Sequence, residues 1–275
     1  MKKLLDVRQE VNALFEQNGV DLFDTNVLIS EVLNVSLSKL FLVECIDEKS
    51  YKKIINYAQK RCSGEPITKI FKKAYFYGLE FYVNNDVLSP RQETELLAEN
   101  ALKLIKDGSK VLDLCTGSGA IAISLAKKCN ADIIASDISN KALKIATKNA
   151  QNNGVNVKFV QSNMFEKIKG KFDVIVSNPP YIATKDVNNL DREVKNYDPI
   201  LALDGGVDGL DFYKIIAKES PKFLNKNGVL VLEIGFNQYR DVEKLLKLNN
   251  FDTILVKDYS NNDRVVIAKL NEKEN

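Results

Sequence analysis

The tetrapeptide Asn178-Pro179-Pro180-Tyr181 is the segment of this chain whose residue types are best suited to chemistry. An amide nitrogen is a poor nucleophile because its lone pair is delocalised into the carbonyl. Two acceptors, the Asn178 side-chain oxygen and the Pro179 main-chain carbonyl, are suited to take one hydrogen each from a planar NH2 group and hold its nitrogen in line with an electrophile. The prolines stiffen the loop and keep the residue before each of them extended, while Tyr181 offers a flat face to a planar amide or base. The chain contains no histidine, which excludes an imidazole general base and the Ser-His-Asp and Cys-His arrangements. Orientation, fixed dipoles and carboxylates are left to do the work. In isolation the same four residues also describe an ordinary strand-ending turn with an aromatic anchor, so their neighbours decide.

The decisive neighbour is Asp113-Leu114-Cys115-Thr116-Gly117-Ser118-Gly119, which leaves one apolar strand and enters an apolar helix, Ala120 to Lys128. Glycine at 117 and 119 permits a sharp turn and lets a ligand approach main-chain amides at a helix N-terminus. Asp137 closes the next strand, where an acidic side chain takes the hydroxyls of a ribose. A nicotinamide dinucleotide and S-adenosylmethionine both use a glycine turn followed by an acid. Asp113 separates them, because it would repel a pyrophosphate yet could serve the ammonium of a methionyl group, directly or through water. The residues therefore favour S-adenosylmethionine, with S-adenosylhomocysteine as product.

These groups need a doubly wound scaffold, and from Lys110 the chain alternates strand and helix as a parallel sheet requires. Strands are expected at Val111–Cys115, Ile133–Asp137, Val157–Gln161, Val174–Ser177, Val229–Ile234, Ile254–Lys257 and Val265–Lys269. The last two are separated only by a short polar loop and should form an antiparallel hairpin at the sheet edge. Before them, apolar residues at helical spacing from Lys3 to about Cys62 predict a small helical domain, with Gly19 ending its first helix, Asp24 and Asp47 as N-caps, and Gly64-Glu65-Pro66 ending the last. Tyr75 to Val83 suggest a hairpin, and Ser89-Pro90-Arg91-Gln92 a helix start capped by Ser89. The expected organisation is an N-terminal helical domain over residues 1–70 that holds substrate, a β-hairpin connector over 71–88, and a Rossmann-like α/β catalytic domain over 89–275.

Composition narrows the partners. Of 275 residues, 45% are hydrophobic and 28% charged, which places the chain with soluble globular proteins. Lys and Arg total 39 against 37 Asp and Glu, a net charge of +2 that provides no general attraction to a phosphate backbone. The local run of Lys52, Lys53, Lys60, Arg61, Lys69, Lys72 and Lys73 reads as a solvated helix face and loop. Cys45, Cys62, Cys115 and Cys129 show no metal-ligand spacing, so neither a metal site nor a disulfide framework is expected. No apolar run is long enough to span a bilayer, and Asp6, Arg8 and Glu10 interrupt any signal-like start. A cytoplasmic protein is expected.

At these residues the sequence resembles the release factor glutamine methyltransferases, part of a wider group of amino-methyltransferases with an Asn-Pro-Pro-Tyr motif. Besides Asn178 to Tyr181, the resemblance runs through Gly64 to Ile67, Phe76 to Leu79, Ser89 to Glu95, Asp113 to Ile121, Ala202 to Gly206, Asp208 to Leu210 and Asp263 to Val266. It implies methyl transfer from S-adenosylmethionine to the N5 side-chain nitrogen of the glutamine in the Gly-Gly-Gln motif of class I peptide chain release factors. It also implies cofactor contacts from Cys115, Thr116, Gly117, Ser118, Gly119 and Asp137, an adenine pocket near Asn163 and Met164, contacts from Asn178 to both cofactor and substrate, and glutamine contacts from Pro179, Pro180 and Tyr181. Arg91 and Glu93 look functional by the same match, although a capped helix start with a surface ion pair explains them equally well. The chain departs from the family at Cys115, where glycine is usual, at Asn163, where aspartate is usual, and at Lys69 to Lys73. A glutamine methyltransferase of a ribosomal protein, an adenine-N6 nucleic-acid methyltransferase and a silent methyltransferase-fold scaffold are the alternatives. A nicotinamide-dependent oxidoreductase leaves the tetrapeptide unexplained.

Overall fold

The computed structural model describes residues 1–271, which form two compact units. The first comprises Met1–Lys73 with Arg192–Tyr197, and the second Ala74–Asp191 with the described residues from Asp198 on.

In the first unit a short strand pair, β1 (Lys2–Lys3) and β2 (Cys45–Ile46), accompanies helices α1 (Leu4–Asn18), α2 (Phe23–Leu33), α3 (Glu48–Cys62) and α4 (Ile67–Phe71). The helical spacing of Leu4, Val7, Val11 and Phe15 puts all four on one face of α1. That face buries against Leu28 and Ile29 of α2 and Ile54 and Ala58 of α3. Gly19 ends α1 and Asp47 caps α3 by accepting a hydrogen bond from the Ser50 amide, as expected. Asp24 does not cap α2. It lies inside the first turn and accepts from Arg61 Nε at 2.7 Å, because a buried guanidinium needs a carboxylate more than the helix end does. Arg61 also pairs with Glu193, and both Arg61 and Lys69 are buried, so the basic run is not a uniformly solvated face. The chain also turns helical again after Pro66, as α4, a short element not foreseen.

The second unit is built on a seven-stranded sheet. It opens with the hairpin β3 (Lys73–Phe76) and β4 (Leu79–Tyr82), closed by Tyr77 and Gly78, both at positive φ, as a two-residue turn demands. The Tyr77 amide is held by Glu95 at 2.7 Å. The sheet strands are β5 (Lys110–Leu114), β6 (Asp132–Asp137), β7 (Lys158–Gln161), β8 (Phe172–Ser177), β9 (Leu224–Glu233), β10 (Phe251–Lys257) and β11 (Asp263–Leu270), in the order β10-β11-β9-β8-β5-β6-β7. Pairing is parallel from β7 to β9 and antiparallel for β11 with β9 and β10, so the C-terminal edge hairpin forms as expected. The unit's helices are α5 (Glu95–Leu104), α6 (Ala120–Lys128), α7 (Asn140–Asn153), α8 (Thr184–Val187), α10 (Asp211–Glu219) and α11 (Tyr239–Leu248). Helix α9 (Arg192–Tyr197) belongs to the first unit.

Two-residue periodicity sends the strand side chains to two cores. Val111, Val174, Val176 and Val231 join Phe76, Phe81, Leu97 and Ile121 in one of them. Leu112, Leu114, Ile175, Leu230 and Leu232 join Tyr213, Ile216 and Val242 in the other. The start at Ser89 is also corrected. Ser89 and Pro90 lie outside any helix, Arg91 is extended, a short 3-10 turn covers Gln92–Thr94, and α5 begins only at Glu95. Proline at 90 disfavours a helical Ser89, and the buried Ser89 amide points to Asp198 instead.

Arg61→Ala should lower the unfolding free energy of the first unit by about 1–3 kcal/mol, since it leaves Asp24 without its cation while Glu193 can rehydrate. Chemical denaturation followed by helical circular dichroism measures it.

Candidate active site

Strand order reverses between β5 and β8, since β5 continues to β6 on one side and β8 to β9 on the other. Ligands of open α/β sheets bind at such a point, beyond the carboxyl ends of the strands. Leu114 lies opposite Ser177 there, and the Ser177 hydroxyl donates to the Leu114 carbonyl at 2.9 Å. The glycine turn and the Asn-Pro-Pro-Tyr loop thus leave the sheet side by side. Around them lies a cleft of about 190 Å³.

The cleft is lined by Arg91, Cys115, Thr116, Gly117, Ser118, Asp137, Asn163, Met164, Asn178 and Pro180 among the residues singled out from sequence. Five others stand outside the lining. Glu93 is exposed, Pro179 is buried and Tyr181 half-buried beside Asn178. Gly119 lies beneath the turn, where an added Cβ would come within 2.8 Å of Ile123 and 3.1 Å of Ala146, and its φ of +83° is itself one that other residues rarely adopt. Asp113 is fully buried behind the turn. Its Oδ2 accepts from the Thr116 hydroxyl at 2.6 Å and the Ala122 amide at 3.2 Å, which ties the turn to the first residues of α6. Its Oδ1 has no hydrogen-bond partner among the described residues, and burial pushes its pKa up to about 7. A carboxylate so enclosed is a brace for the loop and not a direct ammonium ligand.

The donor set on the cleft fits an adenosine. Asp137 Oδ2 accepts from the Gly117 amide at 2.9 Å and Oδ1 from the Ser139 amide at 2.8 Å, so the carboxylate is fixed at the end of β6 with lone pairs left over for two hydroxyls. Asn163 donates its amide to Glu166 at 2.7 Å, which leaves its Oδ1 as an acceptor suited to an adenine amino group. Cys115 takes φ +60°, a left-handed conformation costing a side-chain-bearing residue about 1 kcal/mol. That cost explains why glycine suits this position. The Cys115 sulfur packs against the Met164 sulfur at 3.8 Å.

The loop after β8 is braced by glycines from the Ala202–Leu210 segment. A Cβ on Gly205 would lie 2.8 Å from the Pro180 carbonyl oxygen and 2.8 Å from Tyr181 Cα, and one on Gly209 would lie 2.5 Å from the Tyr181 carbonyl oxygen. Gln238 donates to both the Tyr181 and the Gly209 carbonyls. Burial first, and then the negative charge of Glu233, push the Tyr181 phenol up to about 12, so it stays neutral.

Three residues of the site were missed in the sequence. Asp198 accepts from Arg91 Nη2 at 2.9 Å and holds that side chain on the cleft wall. Thr94 accepts from Asn178 Nδ2 at 3.2 Å. Glu233 ends β9 as a buried acid behind them. The only local signal for Glu233 was a lone carboxylate closing the apolar run Val229-Leu230-Val231-Leu232.

Comparison with known proteins agrees with this geometry. A protein-family model described as methyltransferase small domain matches residues 89–207. A release factor glutamine methyltransferase of Agrobacterium fabrum is 42% identical over 257 residues, covering 89% of each chain. Another, of Thermodesulfovibrio yellowstonii, is 38% identical and covers 98% of each. A methyltransferase of Pyrococcus furiosus, 18% identical, superposes with a TM-score of 0.57 over 78% of this chain and 97% of its own, which shows the shared fold. Fold and site define an α/β methyltransferase, a class that implies use of S-adenosylmethionine. Within that class, the chain belongs to the release factor glutamine methyltransferase family.

Two outcomes are expected. Gly205→Ala should lower the methyl-transfer rate by roughly 10- to 100-fold with cofactor affinity within a few-fold, because the new methyl displaces Pro180 and Tyr181 and not the glycine turn. Single-turnover kinetics and cofactor titration test it. Asp113 has a folded pKa near 7, above the ordinary carboxylate value, so the fold binds its proton more tightly than the unfolded chain. The stability it contributes is complete below about pH 4 and is lost as pH rises through about 7. Asp113→Asn should therefore flatten the fall in melting temperature across that window.

Proposed function

We propose that this chain transfers a methyl group to the N5 nitrogen of the Gly-Gly-Gln glutamine of class I peptide chain release factors. The observation that carries the reading is the placement of Asn178 and Pro180 on the same cleft as the glycine turn and Asp137. The cleft would hold S-adenosylmethionine, whose sulfonium would supply an electrophilic methyl group and leave S-adenosylhomocysteine as the product.

The residues of this chain do the rest by position. With Nδ2 engaged by Thr94, Asn178 has Oδ1 as its remaining acceptor for one hydrogen of the glutamine amide. The Pro179 carbonyl takes the other, and the nitrogen is held in line. Asp137, Asn163 and the Gly117 turn hold the nucleoside, and Arg91, fixed by Asp198, borders the same cleft. With no histidine in the chain, preorganised dipoles and orientation carry catalysis, effects worth about 7–11 kcal/mol when geometry is well held.

A protein acceptor suits the rim. Val207, Phe236, Ile200 and Leu201 are all strongly exposed, on or beside the loops that brace Tyr181 and line the cleft. Apolar side chains of this kind favour a polypeptide over a phosphate backbone.

Incubation with labelled S-adenosylmethionine and a release factor, followed by mass spectrometry of the Gly-Gly-Gln peptide, should find the methyl on that glutamine. Methylation of a ribosomal protein or nucleic acid in its place would overturn the substrate. Asn178→Ala should cut turnover by about 100-fold or more while S-adenosylmethionine still binds. Near-normal turnover in that variant removes the mechanism.

A further inference from the structure

Glu233 is a carboxylic acid with 3% of its surface exposed, at the end of a strand whose other inward residues are apolar. Nothing in the cofactor or acceptor chemistry above uses it, and its Oε2 is buried with no hydrogen-bond partner among the described residues. A buried acid with an open oxygen is costly, which points to a function that the cost sustains. Its neighbours identify that function. The Thr94 hydroxyl and the Asn178 amide both face the carboxylate and favour its charged form, and Asn178 Nδ2 also donates to Thr94 Oγ1 at 3.2 Å.

An asparagine amide can be turned either way, and only one orientation presents an oxygen to the substrate NH2. Reversing it would aim Nδ2 at the substrate, donor against donor. We propose that Glu233 is a positioning residue for methyl transfer: its buried carboxylate, with Thr94, holds the Asn178 amide with Nδ2 turned inward and Oδ1 left for the substrate. An ionised carboxylate is acceptor-only, so it tolerates the NH2 end and repels the oxygen end. Protonated, it could donate, and the discrimination is lost.

The charged and titratable groups around it set the pH at which this happens. Arg264 on β11, itself paired with Asp258, favours the charged form, while Glu93 before α5 opposes it. Tyr181 and Tyr213 are kept neutral, and the Tyr213 hydroxyl donates to the Glu233 main-chain carbonyl at 2.8 Å. Burial is the largest influence and pushes the acid up to about 7. Ionisation of Glu233 therefore falls within a range accessible to assay, and the active form is the one above it.

This inference rests on the acceptor role proposed for Asn178, so its test includes a readout that needs no methyl transfer. In the full chain, the Asn178 side-chain NH2 signals, assigned by their disappearance in Asn178→Ala, should shift with pH near 7 in the wild type and stay constant in Glu233→Gln. In turnover with a release factor, kcat should rise through the same pH range in the wild type. Glu233→Gln, whose amide oxygen can still face Nδ2, should keep kcat within roughly fivefold at pH 8 and lose that rise, whereas Glu233→Ala should lose roughly 30-fold or more in kcat with KM and S-adenosylmethionine affinity nearly unchanged. PH-independent Asn178 signals in the wild type, an alanine variant with normal kcat, or equal losses in kcat and cofactor affinity would each overturn it. If the alanine variant fails to fold, the titration and the glutamine variant decide.

Discussion

The parallel pairing of β5 with β8, with Leu114 opposite Ser177 and their ends joined by the Ser177 hydroxyl, is the contact on which the site depends. It sets the exits of two loops side by side, although more than fifty residues of helix and strand separate them in the chain. The glycine turn and the Asn-Pro-Pro-Tyr loop then face one cleft without either having to reach toward the other. A one-residue slip of this register would reverse every side chain on β8 between its two cores, so the two apolar faces hold it in place.

Two buried acids occupy the same face of that sheet, in line with the two-residue period of the strands. Asp113 lies on the Val111 face of β5, and Glu233 on the Val231 face of β9. Each is raised to about 7 by burial, and each keeps one oxygen without a partner among the described residues. Such groups weaken the fold, and both stand directly behind the loops that line the cleft. Asp113 holds the turn against α6, and Glu233 faces Asn178. Stability is given up where rigidity of a particular loop is needed.

The segment Ala202–Leu210 explains a motif that carries no reactive group. Gly205 and Gly209 approach the Pro180 and Tyr181 backbone so closely that a methyl group has no room. With Gln238 holding two carbonyls, the acceptor loop is clamped against this segment. The Asn149 amide does similar work for the turn, bonding the Ser118 carbonyl and both main-chain groups of Tyr82.

Local pattern alone determined the alternating strands and helices, the edge hairpin, the glycine turn, Asp137 at a strand end and the tetrapeptide after another. Each of these depends on residues adjacent in the chain, whose periodicity and turn chemistry are readable without a partner. Tertiary structure decided the rest. Asp113 turns away from the cleft because alternation on β5 puts it against α6, which no count of residues between motifs reveals. The Ser89 amide donates to Asp198, a residue of a distant segment. Asp24 serves Arg61 in place of a helix end. Thr94 and Glu233 reach Asn178 from a helix start and a neighbouring strand, so their relation to it exists only once the sheet order brings three remote segments to one point.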